Sequence, residues 1–310
     1  MFFITLLLLH YLQWKFSNTY CKLLCNFVVL KMNSEECLLV IVLDVHPQIA
    51  EQLAFVHNYF NAVISFANIH LAFSRMNRVA IIAANHLETR FLYPQSTGEK
   101  VDRQKDGRLE YLNHVDESIE EELKKMLSRD HNVRQTESLL SGAICRGLLY
   151  IKRLESEEAI ARKINARLVV IKYSSDTGSQ YLNYINTYLS AQKIGAAIDV
   201  CVIGSDCGLL QQGADISGGY YYCLQEVSEL LQTLIMMYQP DILTRKKLNA
   251  PPPDSVDYRA ACFCHHTLVD MGNVCSNCLS VYCRAVPLCS TCDVIFQTDR
   301  PLMKALKKKK

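Results

Sequence analysis

The hydrophobic positions of this chain alternate between unbroken apolar runs and stretches in which apolar residues recur every three or four positions. Residues 38–43 (LLVIVL) and 79–84 (VAIIAA) are unbroken runs, which is typical of strands buried on both faces of a parallel sheet. Between them, apolar residues recur from Leu53 to Ala67 mostly at helical steps. The pattern predicts a strand, a helix and a second strand in that order.

The same alternation continues to residue 240. It predicts strands over 89–93, 167–173, 198–203 and 220–224, the last at a sheet edge, and helices over 136–154, 178–192, 207–213 and 227–238 with a further helical stripe through 115–127. Strands that alternate with helices favour an α/β fold in which a mostly parallel sheet is doubly wound, with helices on both faces. We therefore predict one such domain over residues 35–240.

Prolines and lysines divide the rest of the chain. Pro240 and the triple proline at 251–253 stop regular structure and predict a stiff linker over 241–258. A cysteine-rich module follows over 259–296, and a basic tail over 297–310. Residues 1–34 begin with an apolar run, but no Lys or Arg precedes it and lysines soon interrupt it. We expect a disordered or mis-assigned extension there and keep a membrane anchor as the alternative.

Half of the cysteines lie in one short stretch. Residues 262–292 hold seven of the chain's 14 cysteines, and Cys275-x2-Cys278 and Cys289-x2-Cys292 form two pairs with ten residues between them. Each C-x2-C turn can direct two thiolates at one ion, and tetrahedral zinc takes four. These four cysteines predict one structural zinc site, which leaves no coordination position open for catalysis.

The other three cysteines of the stretch leave the number of zinc ions open. Cys262, Cys264 and Cys283, together with His265 or His266, would complete a second site and give a RING-like unit. The C-x-C spacing is tighter than that of a standard zinc turn, so we expect one zinc ion and keep a second as the alternative. Free thiols packed beside the first site are a further alternative.

Charge is scarce in the cysteine-rich module and balanced in the whole chain. The formal net charge is +2, and the only formal charges within 262–292 are Asp270 and Arg284. Neutralisation of phosphates drives affinity for nucleic acid, so direct binding of DNA or RNA is expected to be weak. The many apolar residues of the module indicate docking onto a protein instead, and the thiolate site suits a reducing compartment.

Asp44 lies at the end of the first apolar run, and the residues that follow it do not complete a known binding motif. The loop 44–48 contains no glycine, which excludes a dinucleotide-binding loop and a P-loop. The metal-ion-dependent adhesion motif Asp-x-Ser-x-Ser would need serines where His46 and Gln48 stand. Mg²⁺ needs hard oxygen ligands, and the loss of both serine hydroxyls leaves Asp44 with too few. We therefore expect Asp44 to cap or hydrogen-bond the adjacent loop. Asp176 and Asp206 are the residues that could in principle join it as metal ligands. No catalytic motif is present, and we predict that the chain is not an enzyme.

The order of elements resembles a von Willebrand A domain. The stretch VDYRAACFCHHTLVDMGNVCSNCLSVYCRAVPLCSTC and the lysine-rich tail resemble the small von Willebrand A subunit of general transcription factor IIH, the Tfb-four family. The resemblance runs from residue 35 to the C-terminus and is most specific over 259–292. The family's four-cysteine finger matches Cys275, Cys278, Cys289 and Cys292, and family members also have a degraded adhesion motif.

The resemblance implies a non-catalytic scaffold in the nucleus. It implies a subunit of the factor IIH core complex that binds the RING-bearing von Willebrand A subunit and acts in transcription initiation by RNA polymerase II and in nucleotide excision repair. It implies no small-molecule substrate and no membrane partner. Two alternatives stay open at this point: a RING-like ubiquitin ligase and a metal-dependent, ligand-binding A domain at the cell surface.

Overall fold

The described part of the chain contains a large domain and the cysteine-rich module. The computed structural model describes residues 37–46, 53–94, 108–127, 138–158, 164–174, 180–245, 247–248, 255–265 and 267–296. The expected extension over 1–34 and the basic tail over 297–310 lie outside these residues. Within the described ranges, no helix has both the length and the apolarity that a membrane crossing needs.

Six strands form the central sheet of the domain. They are β1 Cys37–Asp44, β2 Arg78–Ala84, β3 Thr89–Tyr93, β4 Asn165–Lys172, β5 Ala197–Ile203 and β6 Tyr221–Leu224. Their order across the sheet is β3-β2-β1-β4-β5-β6. Only β3 runs antiparallel to its neighbour. Every predicted strand is present, and β6 lies at the predicted edge.

Helices cover both faces of this sheet. They are α1 Leu53–Phe73, α2 Arg108–Leu127, α3 Leu140–Glu158, α4 Tyr181–Ile194 and α5 Gly208–Ser217. Residues of α1 and α2 share one apolar core with alternate residues of β1, and residues of α3, α4 and α5 share a second core with the other residues of β1. The architecture is the doubly wound, mostly parallel α/β fold that the sequence predicts.

The central strand shows why unbroken apolar runs identify the sheet. Leu39, Ile41 and Leu43 of β1 point into the core under α1 and α2. Leu38, Val40 and Val42 point into the core on the other face, and none of the six is more than 1% exposed. Because side chains alternate between faces, a strand that is buried on both sides must be apolar at every position.

The chain after β6 departs from the predicted continuous helix over 227–238. A 3₁₀ turn at Val227–Glu229 leads into α6 Leu230–Thr233 and then a π-helical turn at Leu234–Tyr238. The expectation that Pro240 ends regular structure is wrong, since α7 Ile242–Arg245 follows it. The reason is tertiary: Arg245 is buried in the domain, so the first part of the expected linker packs against the sheet.

Arg245 is held by a buried ion pair with Asp199 of β5. Its two terminal nitrogens donate to the two carboxylate oxygens over 2.6 and 2.5 Å, and its Nε donates to the carbonyl of Pro240 over 2.9 Å. The Asp199 side chain is 0% exposed and that of Arg245 is 5% exposed. The backbone N–H of Tyr220 also donates to Asp199 over 2.9 Å. The pair therefore ties α7 to β5, the strand next to the sheet edge.

Close backbone packing limits the turn between α5 and β6. A Cβ atom on Gly219 would lie 1.9 Å from the carbonyl oxygen of Ile198 in β5, whereas a Cβ on Gly208 would meet nothing within 4 Å. A backbone carbonyl in a parallel sheet cannot yield without breaking the ladder. Glycine at 219 is therefore required by the approach of two backbone segments.

A polar contact joins α1 to α2. Asn68 of α1 donates from its side-chain amide to both carboxylate oxygens of Asp116 in α2 over 3.0 and 3.1 Å. Burial raises the pKa of Asp116, although the hydrogen bonds from Asn68 oppose that shift. The carboxylate is therefore satisfied in hydrogen bonding but still costs free energy when it is charged.

The end of the expected linker is fastened to α5. Gln212 of α5 is buried, and its side-chain amide donates to the backbone carbonyl of Asp257 over 2.5 Å and to that of Arg259 over 3.5 Å. The hydroxyl of Tyr258 donates to the carboxylate of Asp215 in the same helix. These bonds hold the chain against the domain just before the cysteine-rich module begins.

Candidate metal centre

The module over 259–296, which we call the finger, is built from three short hairpins with one geometry. In the first, β7 Ala260–Ala261 pairs with β8 Leu268–Val269; in the second, β9 Asn273–Val274 pairs with β10 Val281–Tyr282; the third is closed by a bridge between Leu288 and Ile295. A cysteine follows the first strand of each hairpin. Its backbone N–H donates over 2.9 Å to the carbonyl five residues later, in the pairs Cys262–Thr267, Cys275–Ser280 and Cys289–Val294.

The second and third hairpins bring the four predicted cysteines together. The Sγ atoms of Cys275, Cys278, Cys289 and Cys292 lie within 4.8 Å of one another. Cys275 and Cys292 are 3.7 Å apart at sulfur, and Cys278 and Cys289 are 3.5 Å apart. A tetrahedral zinc site with Zn–S bonds of about 2.3 Å has sulfurs about 3.8 Å apart. The described geometry can therefore hold a tetrahedral metal ion.

Two residues with left-handed backbone conformations close these turns. Leu279 has a φ of 61° and Asp293 a φ of 56°. Their backbone N–H groups donate over 3.0 Å to the carbonyls of Cys275 and Cys289 respectively. The left-handed residue directs the chain back after each cysteine pair, so both sulfurs of a pair point to the same side.

Hydroxyl groups support the sulfurs of this site. The hydroxyl of Tyr282, which is buried, lies 3.1 Å from the Sγ of Cys289 and accepts a hydrogen bond from the backbone N–H of Ser290 over 3.0 Å. The hydroxyl of Ser280 lies 3.0 Å from the Sγ of Cys278, and this contact lowers the pKa of Cys278. A lower pKa favours the thiolate, which is the form that binds metal.

The remaining cysteines of the finger form a second group with a histidine. The ligand atoms of Cys262, Cys264, His265 and Cys283 lie within 4.8 Å of one another. The hydroxyl of Thr267, 3.5 Å from the Sγ of Cys262, lowers the pKa of Cys262 to about 5. The sequence predicts these three cysteines with His265 or His266 as the alternative ligand set. The structure places His265 in the group, and His266 lies outside the described residues.

The expectation of one site rests on the tight spacing between Cys262 and Cys264. This spacing does not determine the conformation of the hairpin turn. The Cys262-x-Cys264 spacing is tight, but Cys262 and His265 have the same three-residue separation as Cys275 and Cys278. The C-x2-H spacing of Cys262 and His265 is therefore a signal that the sequence contains. Both clusters of the finger can hold a metal ion.

Asp44 accepts hydrogen bonds from the segment that follows the neighbouring strand β4, which is distant in sequence from the loop 44–48 considered above. The side chain is 0% exposed, and its Oδ2 accepts hydrogen bonds from the backbone N–H of Ser174 over 2.8 Å and of Tyr173 over 3.4 Å. Both donors follow β4. Two other positions considered with Asp44, Gln48 and Asp176, lie outside the described residues.

Asp206 and His46, the other candidates at this edge of the sheet, are engaged locally. Asp206 accepts hydrogen bonds from the backbone N–H of Cys207 over 3.0 Å and from the hydroxyl of Tyr221. His46 is buried with its ring centroid 6.3 Å from that of His86. Within the described ranges, only the two finger clusters bring three or more metal-binding side chains within reach of one ion.

Comparison with known proteins identifies the family. The sequence model of the family described as transcription factor Tfb4 matches residues 36–293. General transcription and DNA repair factor IIH subunit tfb4 of Schizosaccharomyces pombe is 34% identical over 282 residues, which cover 88% of this chain and 93% of that protein. General transcription factor IIH subunit 3 of Dictyostelium discoideum is 35% identical over 256 residues, which cover 78% and 68% respectively.

A solved structure agrees with the sequence relatives. The crystal structure of the TFIIH p34 N-terminal domain superposes with a TM-score of 0.55 and 25% sequence identity. The match covers 64% of this chain and 96% of that domain, as expected if the shared part is the α/β domain without the finger. The family model, the sequence relatives and the shared fold agree with one another, and the chain belongs to the Tfb4 family of transcription factors.

Proposed function

We propose that this chain is a non-catalytic, structural subunit of the transcription factor IIH core complex in the nucleus. It would act there in transcription initiation by RNA polymerase II and in nucleotide excision repair. Membership of the Tfb4 family supports the proposal, because the relatives are named as subunits of general transcription and DNA repair factor IIH. The relatives' names give no support to a ubiquitin ligase or a cell-surface ligand-binding domain.

The observation that carries the structural role is the surface of the finger. Met271, Ile295 and Leu279 are 88%, 75% and 71% exposed, and three further large apolar side chains of the finger are about half exposed: Leu268, Val274 and Leu288. Six large apolar side chains exposed on so small a module favour a role in binding another protein. A partner subunit that covers these side chains would remove them from water.

The charge of the finger favours a protein partner over nucleic acid. Asp270 and Arg284 are its only formal charges within 262–292, and Asp270 is paired with Arg259 over 3.1 Å. The finger has two exposed arginines, and one of them, Arg259, is already paired with Asp257 and Asp270. They cannot neutralise a row of phosphates. We therefore infer a docking role in the complex, with the RING-bearing von Willebrand A subunit as the chief partner.

We infer that the metal at Cys275, Cys278, Cys289 and Cys292 is zinc in a structural role. Four sulfur donors at tetrahedral separations favour zinc over harder divalent ions, and a closed set of four leaves no place for a substrate. The ion would hold the second and third hairpins in the arrangement that displays the apolar side chains.

Co-purification of the complex with point variants tests the docking role. The tagged full chain, expressed in cells, should bring down the other core subunits of factor IIH. Met271→Glu and Ile295→Glu place a charge on exposed apolar positions and should lower recovery of the partner at least about tenfold, as expected for residues near the centre of an interface. Arg284→Glu is the matched control, because it adds the same carboxylate at an exposed polar position of the finger.

The controls separate the possible outcomes. Wild-type recovery with both apolar variants would show that the finger surface does not dock, and the proposal would fail. Loss of partner with Arg284→Glu alone would point to an electrostatic contact instead of an apolar one. A chain that never co-purifies with other factor IIH subunits would refute the assignment to the complex.

A further inference from the structure

We propose that the finger holds a second metal ion, bound by Cys262, Cys264, His265 and Cys283, and that this ion is zinc. The proposal goes beyond the structural role above and does not rest on it, since it depends only on side chains of this chain. It replaces the expectation of a single site with two sites of different composition, one with four sulfurs and one with three sulfurs and an imidazole nitrogen.

The repetition of the hairpin is the first argument for the second ion. In each hairpin, the residue before the first cysteine pairs with the residue six positions after that cysteine: Ala261 with Leu268, Val274 with Val281, and Leu288 with Ile295. The cysteine N–H reaches the carbonyl five residues later in all three. The second and third hairpins use this turn to present ligand pairs three residues apart, and the first hairpin presents Cys262 and His265 in the same way.

The distances between donor atoms are the second argument. The Nδ1 of His265 lies 3.3 Å from the Sγ of Cys283 and 3.9 Å from that of Cys262. The Sγ atoms of Cys264 and Cys283 are 3.3 Å apart. With Zn–S bonds of about 2.3 Å and Zn–N bonds of about 2.0 Å, the edges of a tetrahedral site are about 3.5 to 3.8 Å long. The four donors thus surround a space of the right size for zinc.

A disulfide does not explain the same contacts. The sulfurs of Cys264 and Cys283 are 3.3 Å apart, whereas a disulfide bond is about 2.05 Å long. Such a bond would also leave Cys262 and His265 directed at a point with nothing to bind. Three thiols and an imidazole that converge on one point are the donor set of a Cys₃His zinc site.

The order of the ligands along the chain indicates that the second ion would stabilise the finger. Cys283 lies 18 residues after His265 and falls between Cys278 and Cys289, so the ligands of the two sites interleave. Among the described residues of the finger, the apolar cluster has three buried members, Cys275, Tyr282 and Cys289. Such a core is too small to fix the fold by burial. Interleaved metal sites cross-link all three hairpins, and Cys262 follows closely on the segment fastened to α5.

Metal analysis of the full chain is the direct test. The purified protein, passed over a chelating resin to remove weakly held ions, should contain two zinc ions per chain by mass spectrometry. Cys283→Ser should reduce this to one. Cys145→Ser, which removes an exposed cysteine of α3 outside both clusters, should leave two and is the matched control.

Two further measurements keep the test decisive if Cys283→Ser does not fold. Cobalt substitution of the wild-type chain should give sulfur-to-cobalt absorption from seven thiolates on two tetrahedral ions, compared with four thiolates on one ion if only the first site binds. His265→Cys should retain two ions, because cysteine is itself a ligand at the second position of the other hairpins, whereas His265→Ala should lose one.

Several results would overturn the proposal. One zinc ion in the wild type, with Cys283→Ser unchanged, would show that the second cluster stays empty. A disulfide between Cys264 and Cys283, detected by thiol-blocking mass spectrometry of the freshly purified chain, would replace the site with a cross-link. Neither result would affect the docking test, which measures recovery of partner subunits.

Discussion

Replacing Arg245 with methionine should leave the buried carboxylate of Asp199 without its hydrogen-bonded cation. Methionine keeps much of the length and apolar bulk of arginine but donates no hydrogen bond. The carboxylate of Asp199, which is 0% exposed, would lose both guanidinium donors and keep only the backbone N–H of Tyr220. The buried guanidinium of Arg167 still interacts with Asp199 electrostatically, but the carboxylate loses its hydrogen-bonded cation. This is unfavourable because the protein interior solvates charge far less well than water.

The magnitude follows from the contacts that are lost. Two hydrogen bonds to a charged group are worth about 1.5–3 kcal/mol each, which gives an upper range near 6 kcal/mol. Some water will reach the carboxylate once the guanidinium is gone, and removal of one partner of a buried ion pair typically costs about 3–5 kcal/mol. We expect Arg245→Met to lower the free energy of unfolding by about 4 kcal/mol.

Urea unfolding of the full chain, followed by far-ultraviolet circular dichroism, measures this change. All described helices lie in the domain and none in the finger, so the helical signal reports on the domain. Arg153→Met is the matched control: its ion pair with Glu157 spans 3.6 Å and both side chains are exposed, so the change should stay within about 0.5 kcal/mol.

The double variant Asp199→Leu, Arg245→Met separates charge from packing. If the isolated carboxylate causes the loss, removing it should recover most of the stability, because an apolar pair of similar volume can replace a buried ion pair at little cost. A loss below about 1 kcal/mol in Arg245→Met, with an unchanged urea dependence, would refute the reasoning. A double variant as unstable as the single one would assign the loss to packing of α7 instead.

Three other substitutions test separate parts of the structure. Gly219→Ala should lower the free energy of unfolding by about 3 kcal/mol or more, since the new Cβ meets a backbone carbonyl, while Gly208→Ala should change it by less than about 1 kcal/mol; equal urea midpoints for the two would contradict the packing. Tyr282→Phe removes the hydroxyl beside Cys289 and should weaken zinc binding about tenfold in a chelator competition; unchanged affinity would mean that the contact is structural only. Burial raises the pKa of Asp116, so its charge costs stability at pH values above its unfolded pKa, and none of that cost is present below it. Asp116→Asn should therefore stabilise the protein by less than about 1 kcal/mol at pH 7, and the gain should vanish near pH 4; a gain independent of pH would show that charge is not its source.

The pattern of residues along the chain is enough to predict the sheet, most of the helices and four candidate metal ligands. Strands such as β1 are recognisable because burial on both faces requires apolar residues at every position. Cys275, Cys278, Cys289 and Cys292 are recognisable because a ligand pair on one turn must have a fixed spacing along the chain. Both signals involve residues that are close in sequence, so they can be recognised without the tertiary structure. The resemblance to the Tfb-four family rests on the same local wording, and the family comparison confirms it.

Contacts between residues that are distant in the chain become visible only in the folded protein. Arg245 and Asp199 are 46 residues apart. Nothing in the local sequence around Arg245 predicts that its side chain is buried against β5. His265 meets Cys283 across 18 residues only because antiparallel hairpins return the chain to the same point. Cys262 and His265 have the three-residue separation of a ligand pair. Because Cys264 lies between them, the sequence is first read as a C-x-C pair. Local periodicity encodes elements and turns, whereas a charge pair or a second metal site depends on which elements the fold brings into contact.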